Sequence, residues 1–166
     1  MNCQIEGPLL NQAPACVPIL RMLPDWFGIE KAILNYEREI EHLPTFLAKT
    51  KGSVVGFISI KQHNPYSAEI HVMAVHPDAQ RGGIGRALVS AAEGYARDMG
   101  IEYMQVKTLG PSRPDEGYAS TRAFYEAIGF RPLEEFKQIW DEHNPCLIMI
   151  KSLPFVSATK TINDLR

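Results

Sequence analysis

The sequence predicts an α/β (α+β) fold in which strands alternate with helices in one domain. Residues 67–75 alternate as expected of a strand with both faces largely covered. Residues 84–95 then repeat apolar side chains at helical spacing, and a glycine-rich turn separates the two segments. At 166 residues and 45% hydrophobic content, the chain can bury one core but is short for two domains. We therefore expect one domain over residues 1–153 and a tail over 154–166, where periodicity is lost.

The other elements are predicted from local patterns in chain order. A strand is expected within residues 3–10, and Asn11 is a suitable N-cap for the helix that follows. A second helix is expected over residues 29–42. Residues 45–49 and 53–61 have the composition of two strands that form a hairpin. The C-terminal part is predicted to hold strands at 102–109, 134–138 and 146–151 and a helix capped by Asp115 or Ser112.

The turn after residues 67–75 holds the most informative pattern of the chain, Gln80-Arg81-Gly82-Gly83-Ile84-Gly85-Arg86. It leads into a helix whose first N–H groups have no intrahelical partner and whose dipole is positive at this end. The glycines leave the backbone accessible and permit positive φ. Arg81 and Arg86 supply guanidinium groups that suit phosphate oxygens. The segment therefore predicts a site for a diphosphate group.

Spacing excludes two common nucleotide-binding motifs at this turn. A Walker loop requires Lys followed by Ser or Thr after its last glycine, whereas Gly85 is followed by Arg86-Ala87. A dinucleotide fingerprint requires a small residue at the position of Leu88, and no early βαβ unit surrounds it. A glycine-rich turn without any ligand is the remaining alternative.

A second motif lies at the end of the last predicted helix, Phe124-Tyr125-Glu126-Ala127-Ile128-Gly129-Phe130. The two motifs and the order of elements around them resemble the GNAT superfamily of N-acetyltransferases over residues 67–137. Residues 80–85 match that family's coenzyme A signature, Gln/Arg-x-x-Gly-x-Gly/Ala, and the second motif matches its Phe/Leu-Tyr-x-x-x-Gly-Phe helix end. The resemblance implies a mixed, mostly antiparallel sheet of six to seven strands, about four flanking helices and splayed central strands. It also implies acetyl-coenzyme A as cosubstrate.

The resemblance further implies which residues bind coenzyme A. In the family, the strand at 67–75 splays from its neighbour, and its main chain pairs with the pantetheine arm like an added strand. An Asn that is common in the family corresponds to Tyr118 here, and we expect Ser120 to serve in its place. The implied coenzyme A-binding residues are Met73, Ala74, Val75, Gln80, Arg81, Gly82, Gly83, Ile84, Gly85, Arg86, Ser120 and Tyr125.

Tyr125 is, by this resemblance, the candidate for the general acid that protonates the departing coenzyme A thiolate. Phe124, Ala127 and Ile128 are expected to form the buried face of its helix, and Tyr125 is expected on a separate stripe with Thr121. The alternative is that Tyr125 holds the ligand sulfur in place without donating a proton.

Glu69 and His71 are the candidates for the base that takes a proton from the attacking amine. They share one face of a strand by its two-residue period, and a histidine titrates near neutral pH. Proton loss to bulk water, without a dedicated base, is the alternative. His63 is expected to be solvated in a turn and is not assigned to the site.

We expect transfer of an acetyl group to a primary amine of a small molecule or peptide by direct attack in a ternary complex. A covalent route would need a placed nucleophile, but Cys3, Cys16 and Cys146 lie far from the segments just described and not beside a histidine. Trp26 and Phe27 are expected, by resemblance, to line the acceptor entrance, with packing on the sheet as the alternative. Other functions left open are a non-catalytic acyl-coenzyme A-binding or sensing module, another acyl chain, and an oxygen acceptor.

Composition argues against several classes of partner. The formal net charge is −2 and there is no basic stripe, so nucleic acid is not expected. No stretch approaches the about 18 to 20 apolar residues of a membrane span, and prolines interrupt the N-terminal apolar residues. Three cysteines without a Cys-x-x-Cys pair indicate a reducing compartment, and the five histidines show no metal-ligand spacing. We expect a cytoplasmic protein without a metal. Its oligomeric state is open, with a homodimer through the C-terminal strands as one alternative.

Overall fold

A computed structural model describes residues 2–154 and contains a seven-stranded sheet flanked by four α-helices. The strands are β1 Cys3–Leu9, β2 Thr45–Thr50, β3 Ser53–Gln62, β4 Ser67–Val75, β5 Tyr103–Leu109, β6 Arg131–Asp141 and β7 Asn144–Ser152. The helices are α1 Ala13–Arg21, α2 Glu30–Ile40, α3 Ile84–Asp98 and α4 Glu116–Ala127. The strand order is β1-β2-β3-β4-β5-β7-β6, with every neighbouring pair antiparallel except β4 and β5. This confirms the expected mixed, mostly antiparallel sheet. Apart from Pro154, the predicted tail over residues 154–166 lies outside the described residues.

The two central strands separate along their length. The parallel pairing of β4 with β5 joins residues 67–70 to residues 103–106, and its last pair is Ile70 with Val106. Beyond this pair β4 continues along β3 to Val75, while β5 continues along β7 to Leu109. The expected splay is therefore present, and it opens toward the glycine turn that follows β4.

A β-bulge interrupts the alternation of β4 at His71. Val72 lies opposite Ser59 and Ile70 lies opposite Ile60, so β4 carries one extra residue between them. Ile70 consequently belongs to the core on one face of the sheet, whereas Val72 belongs to the core on the other. The strict two-residue period predicted for residues 67–75 is wrong across this point. The extra residue moves the side chains that follow it to the face of the sheet opposite the one that the period predicts.

Apolar clusters cover both faces of the sheet. On one face, Leu88 of α3 is fully buried with Ile58 and Ile70. On the other face, Leu20 of α1 is fully buried with Phe57. Because the sheet is packed on both sides, its central strands read as nearly continuous apolar runs in the sequence.

The N-termini of α1 and α4 are capped in two different ways. The side chain of Asp115 accepts a hydrogen bond from the Tyr118 N–H at 3.0 Å, which confirms the predicted cap of α4. Asn11 is not the cap of α1, since its φ of 59° places it in a left-handed turn. Instead, the Glu41 side chain accepts a hydrogen bond from the Ala13 N–H at 3.2 Å. A side chain distant in sequence thus replaces the local cap.

Candidate active site

The glycine turn leads to backbone N–H groups at the start of α3 that have no hydrogen-bond partner within residues 2–154. Gly83 is the N-cap, with a φ of 83°, and no side chain caps the helix. The Ala87 N–H donates to the Gly83 carbonyl at 3.0 Å, so the N–H groups of residues 84–86 precede the first helical bond. Arg81 and Arg86 are exposed in the same segment. The turn therefore offers the donors and positive charge that suit a diphosphate.

Three residues of the turn also have packing roles. The Ile84 side chain is buried in the core, so only its main chain faces the turn. A Cβ on Gly85 would lie 3.2 Å from the Phe124 ring, so this glycine allows α3 and α4 to approach closely. The Gln80 side chain donates to the Val75 carbonyl at 3.1 Å and ties the turn to the end of β4. The sequence motif does not predict these contacts, because each depends on a neighbouring element.

Tyr125 lies in the core on the inner side of α4. It is 5% exposed, and its ring makes edge contacts with Phe124 and Phe130 at centroid distances of 5.2 and 5.4 Å. Burial raises the pKa of Tyr125 well above the usual value for tyrosine, because an enclosed phenolate loses its hydration. The hydroxyl is therefore protonated at neutral pH.

The predicted orientation of α4 is confirmed in part, since Phe124 and Ile128 pack against the core as expected but Ala127 does not. Ala127 is exposed, whereas Tyr125 is the buried residue of this helix. Tyr125 thus belongs to the core, although the sequence placed it on a separate stripe, whereas Thr121 of that stripe contacts Trp26. The Phe124 ring nevertheless contacts both Tyr125 and the position of Gly85, so the tyrosine and the glycine turn are close neighbours.

Glu69 is a buried carboxylate at the point where β4 and β5 part. Its side chain is 7% exposed, and one oxygen lies 3.0 Å from the Lys107 ammonium of β5. The other oxygen lies 2.7 Å from Nε2 of His63, in the turn between β3 and β4. Since a buried carboxylate is costly unless it is paired, these two contacts hold the charge in place. The sequence predicts that His63 is solvated in a turn. His63 does lie in a turn, but its contact with Glu69 means that it is not freely solvated.

His71 lies on the same side of the sheet as Glu69 and contacts α2. Its Nε2 is 2.5 Å from a carboxylate oxygen of Glu39, and its ring makes an edge contact with Tyr36 at 5.6 Å. Burial, with nearby Tyr118, Glu39 and Glu69, raises the pKa of Tyr36. The two candidate bases thus border one polar region between β4 and α2.

Trp26 and Phe27 form a bridge between α4 and α2. The Trp26 indole N–H donates to the Thr121 hydroxyl at 3.3 Å, and the Tyr118 hydroxyl donates to the Trp26 carbonyl at 3.4 Å. The Phe27 ring makes an edge contact with Tyr36 at 5.9 Å. Both aromatic residues are half-buried, so they combine a packing role with an exposed surface near the polar region.

The remaining predicted ligand residues lie on the last part of β4 and on α4. Met73, Ala74 and Val75 follow the last β4–β5 pair, so their edge toward β5 has no strand partner in the described part of the chain. Ser120 is exposed on α4, one helical turn before Phe124. The role of these positions in ligand binding stays a prediction.

Cys146 lies closer to this region than its position in the sequence suggests. It pairs with Leu109 at the end of β5, and its pKa responds to the charges of Lys107 and Glu69. Burial raises the pKa of the Cys146 thiol to about 11, so it is a thiol rather than a thiolate near neutral pH. The expectation that Cys146 lies far from the site is wrong, because β7 is inserted beside β5 in the sheet.

Among residues 2–154, no group of three or more His, Cys, Asp or Glu side chains is arranged to hold a metal ion. Within the same residues, no helix is both long and apolar enough to cross a membrane.

Comparison with known proteins places this geometry in a family. Residues 18–130 match the model of the acetyltransferase (GNAT) family. An uncharacterized N-acetyltransferase of Chlorobaculum tepidum is 32% identical over 116 residues, which is 68% of each chain. A mycothiol acetyltransferase of Saccharomonospora viridis is 36% identical over 54% of this chain. The chain spans only 30% of the length of that enzyme.

A solved structure supports the fold independently. A GNAT family acetyltransferase from Elizabethkingia anophelis, crystallised with acetyl-CoA bound, has a TM-score of 0.69. The match covers 92% of this chain and 99% of the other, at 19% identity. The family model, the relatives and the fold agree, and the chain belongs to the acetyltransferase (GNAT) family.

Proposed function

We propose that the protein is an acetyl-coenzyme A-dependent N-acetyltransferase that acts on a primary amine of a small molecule or peptide. The observation that carries the proposal is the separation of β4 from β5 beyond Ile70 and Val106, directly before the glycine turn. Among residues 2–154, no strand covers this edge of β4, so it can take a linear ligand whose diphosphate lies at the start of α3. The name N-acetyltransferase of the Chlorobaculum relative supports an amine acceptor.

In this proposal the ligand is held mainly by the backbone. The N–H groups at the start of α3 bind the diphosphate, with Arg81 and Arg86 adding charge. Met73, Ala74 and Val75 pair with the pantetheine arm as an added strand would. Ser120 supplies a further hydrogen-bonding group from α4. The acetyl-CoA bound to the Elizabethkingia protein supports this choice of ligand.

The chemical step is direct transfer. The neutral amine nitrogen attacks the thioester carbonyl carbon, a C–N bond forms, and the C–S bond then breaks. A backbone N–H of β4 stabilises the negative charge that develops on the carbonyl oxygen. The departing thiolate takes the phenolic proton of Tyr125. Burial keeps the Tyr125 hydroxyl protonated near neutral pH, so the proton is present when the thiolate departs.

The amine loses one proton, which balances the proton gained by sulfur. We assign this proton removal to Glu69 or to a group in contact with it, since Glu69 lies at the last paired residues of β4 and β5. His71 is the second candidate, although its Nε2 already contacts Glu39. Trp26 and Phe27 line the approach of the acceptor from the α2 and α4 side.

An isotope-transfer assay tests the proposal. The protein is incubated with acetyl-coenzyme A labelled in the acetyl group and a panel of small amines, amino acids and peptides. We expect label to appear in at least one amine in proportion to the thiol released. Tight binding of acetyl-coenzyme A without label in any amine would instead favour a binding module. Label in a hydroxyl acceptor alone would assign oxygen as the acceptor atom.

A further inference from the structure

We infer that His63 is the proton acceptor of the transfer reaction and that Glu69 is the residue that positions it. This inference rests on the proposed function and names the group through which Glu69 acts. It concerns a side chain in the β3–β4 turn, outside the two sequence motifs of the chain.

The first argument is a contrast between two buried carboxylates. Glu93 of α3 is held by two permanent cations, Lys151 at 2.6 Å and Arg97 at 3.4 Å, as expected of a structural ion pair. Glu69 is held by one permanent cation, Lys107, and by His63. A histidine changes its charge near neutral pH, whereas lysine and arginine do not. Of these two clusters, only the one around Glu69 contains a histidine, whose ring can accept a proton through one nitrogen and donate one through the other.

The second argument is the other ring nitrogen of His63, Nδ1, which has no hydrogen-bond partner among residues 2–154. An ionised carboxylate accepts hydrogen bonds only, so the His63 Nε2 that lies 2.7 Å from Glu69 carries the proton. In the neutral ring, Nδ1 then has a lone pair that can accept a proton. The resulting imidazolium is stabilised by the adjacent Glu69 charge.

The third argument is that both oxygens of Glu69 are already engaged. Lys107 contacts one and His63 the other, so a direct proton transfer to Glu69 would weaken one of these contacts. The His63 side chain is 30% exposed, against 7% for Glu69, so His63 can also release its proton to solvent after each turnover. His63 is thus better placed than Glu69 to exchange a proton with solvent.

The turn that carries His63 is fixed by its own hydrogen bonds. The His63 N–H donates to the Ser67 carbonyl at 3.0 Å. The Asn64 side chain accepts hydrogen bonds from the N–H groups of Tyr66 and Ser67 at 2.8 and 3.0 Å. This arrangement orients the imidazole toward Glu69 without requiring a ligand.

The proton balance is simple. The amine nitrogen forms a bond to the acetyl carbon and gives one proton, directly or through one water, to Nδ1 of His63. Glu69 keeps its charge throughout. Other titratable groups around the pair are Lys107 on β5, Tyr36 on α2 and the Cys146 thiol on β7. Burial raises the pKa of Tyr36 and that of Cys146, so both are protonated near neutral pH.

Kinetics of His63→Gln and of the matched surface variant His143→Gln test the inference with the best amine of the panel. His143 is an exposed histidine in the β6–β7 turn. We expect His63→Gln to lower kcat/KM by about 100-fold, because the glutamine side chain cannot take up the proton. We expect His143→Gln to remain within about twofold. Added imidazole should restore part of the activity of His63→Ala. A His63→Gln enzyme within about threefold of wild type would overturn the inference.

Nitrogen-15 NMR of the histidine rings provides a test that does not depend on turnover. We expect the neutral His63 ring to carry its proton on Nε2 in the wild type, and Glu69→Gln to shift the balance toward Nδ1–H. A wild-type ring protonated on Nδ1 would overturn the inference even if the enzyme is active. Absence of amine-dependent turnover in a wild type that has the expected ring state would overturn the proposed function and, with it, the role of His63 in catalysis.

Discussion

Glu69 of β4 and Lys107 of β5 form an ion pair of 3.0 Å at the point where these parallel strands stop pairing. Its two ends differ in exposure, since the Glu69 side chain is 7% exposed and the Lys107 side chain is 30% exposed. The pair therefore joins the two walls of the proposed active site while it neutralises an enclosed carboxylate.

Replacement of Lys107 by Met should destabilise the fold by about 1–3 kcal/mol. The expected loss of stability is smaller than for a fully buried pair because Lys107 is partly exposed. It is still substantial because Glu69 would keep only His63 as partner. Urea unfolding measures the effect. Lys49→Met is the matched control, because Lys49 pairs with the more exposed Glu6 at 2.7 Å and should lose at most about 0.5 kcal/mol. Equal losses in the two variants would contradict the importance assigned to Glu69, as would a failure of Glu69→Gln to recover stability in the Lys107→Met background.

The pKa of Tyr125 predicts how stability changes in alkali. Burial raises this pKa in the folded state, so the folded protein holds the phenolic proton more tightly than the unfolded chain. The associated stability is present below about pH 10, the usual tyrosine value, and is lost as the pH rises above it. We expect Tyr125→Phe to lose less stability than wild type between neutral pH and pH 11, measured by urea unfolding. Parallel losses in both proteins would show that Tyr125 ionises as an ordinary exposed tyrosine.

Cys146 provides a test of direct attack. Its thiol has a pKa of about 11 and is buried on β7, between β5 and β6. It is therefore a poor nucleophile near neutral pH. Cys146→Ala should retain turnover within about threefold, at a cost of about 1 kcal/mol in stability for the lost sulfur. A folded variant without turnover, or an acetylated Cys146 found by mass spectrometry in the wild type, would establish a covalent route.

The two glycines of the turn should differ in their response to alanine. Gly83 has a φ of 83° and open space around it, so Gly83→Ala should cost about 1 kcal/mol from backbone strain alone. Gly85 has no positive φ, and an added methyl group would press on the Phe124 ring at 3.2 Å. We expect Gly85→Ala to alter Tyr125 through Phe124, and so to lower turnover more than Gly83→Ala does at saturating acetyl-coenzyme A. Thermal unfolding and steady-state kinetics separate the two effects.

The local motifs of the site could be predicted because each is encoded within a few residues. The glycine turn at 80–86 and the helix end at 124–130 have fixed spacing, and each lies in the sequence beside the element that supports it. The splay followed only from the family resemblance, since spacing alone does not reveal which strands pair.

The surroundings of Glu69 could not be predicted because its partners come from separate elements. His63 lies in a turn and Lys107 lies on a parallel strand, and only the register of β4 with β3 and β5 brings them together. The bulge at His71 likewise depends on pairing with β3. The burial of Tyr125 was not predicted because the sequence placed it on a stripe with the polar Thr121, yet its ring packs against Phe124 and Phe130 despite its hydroxyl.

The most direct test of the proposed chemistry is amine-dependent thiol release by the wild type and by Tyr125→Phe. Both proteins should bind acetyl-coenzyme A with similar affinity, because the substitution removes one hydroxyl and leaves the glycine turn intact. We expect kcat to fall by about 100-fold or more in Tyr125→Phe, since the thiolate then leaves without a proton donor. Equal kcat values in the two proteins would contradict the role of Tyr125 as the acid.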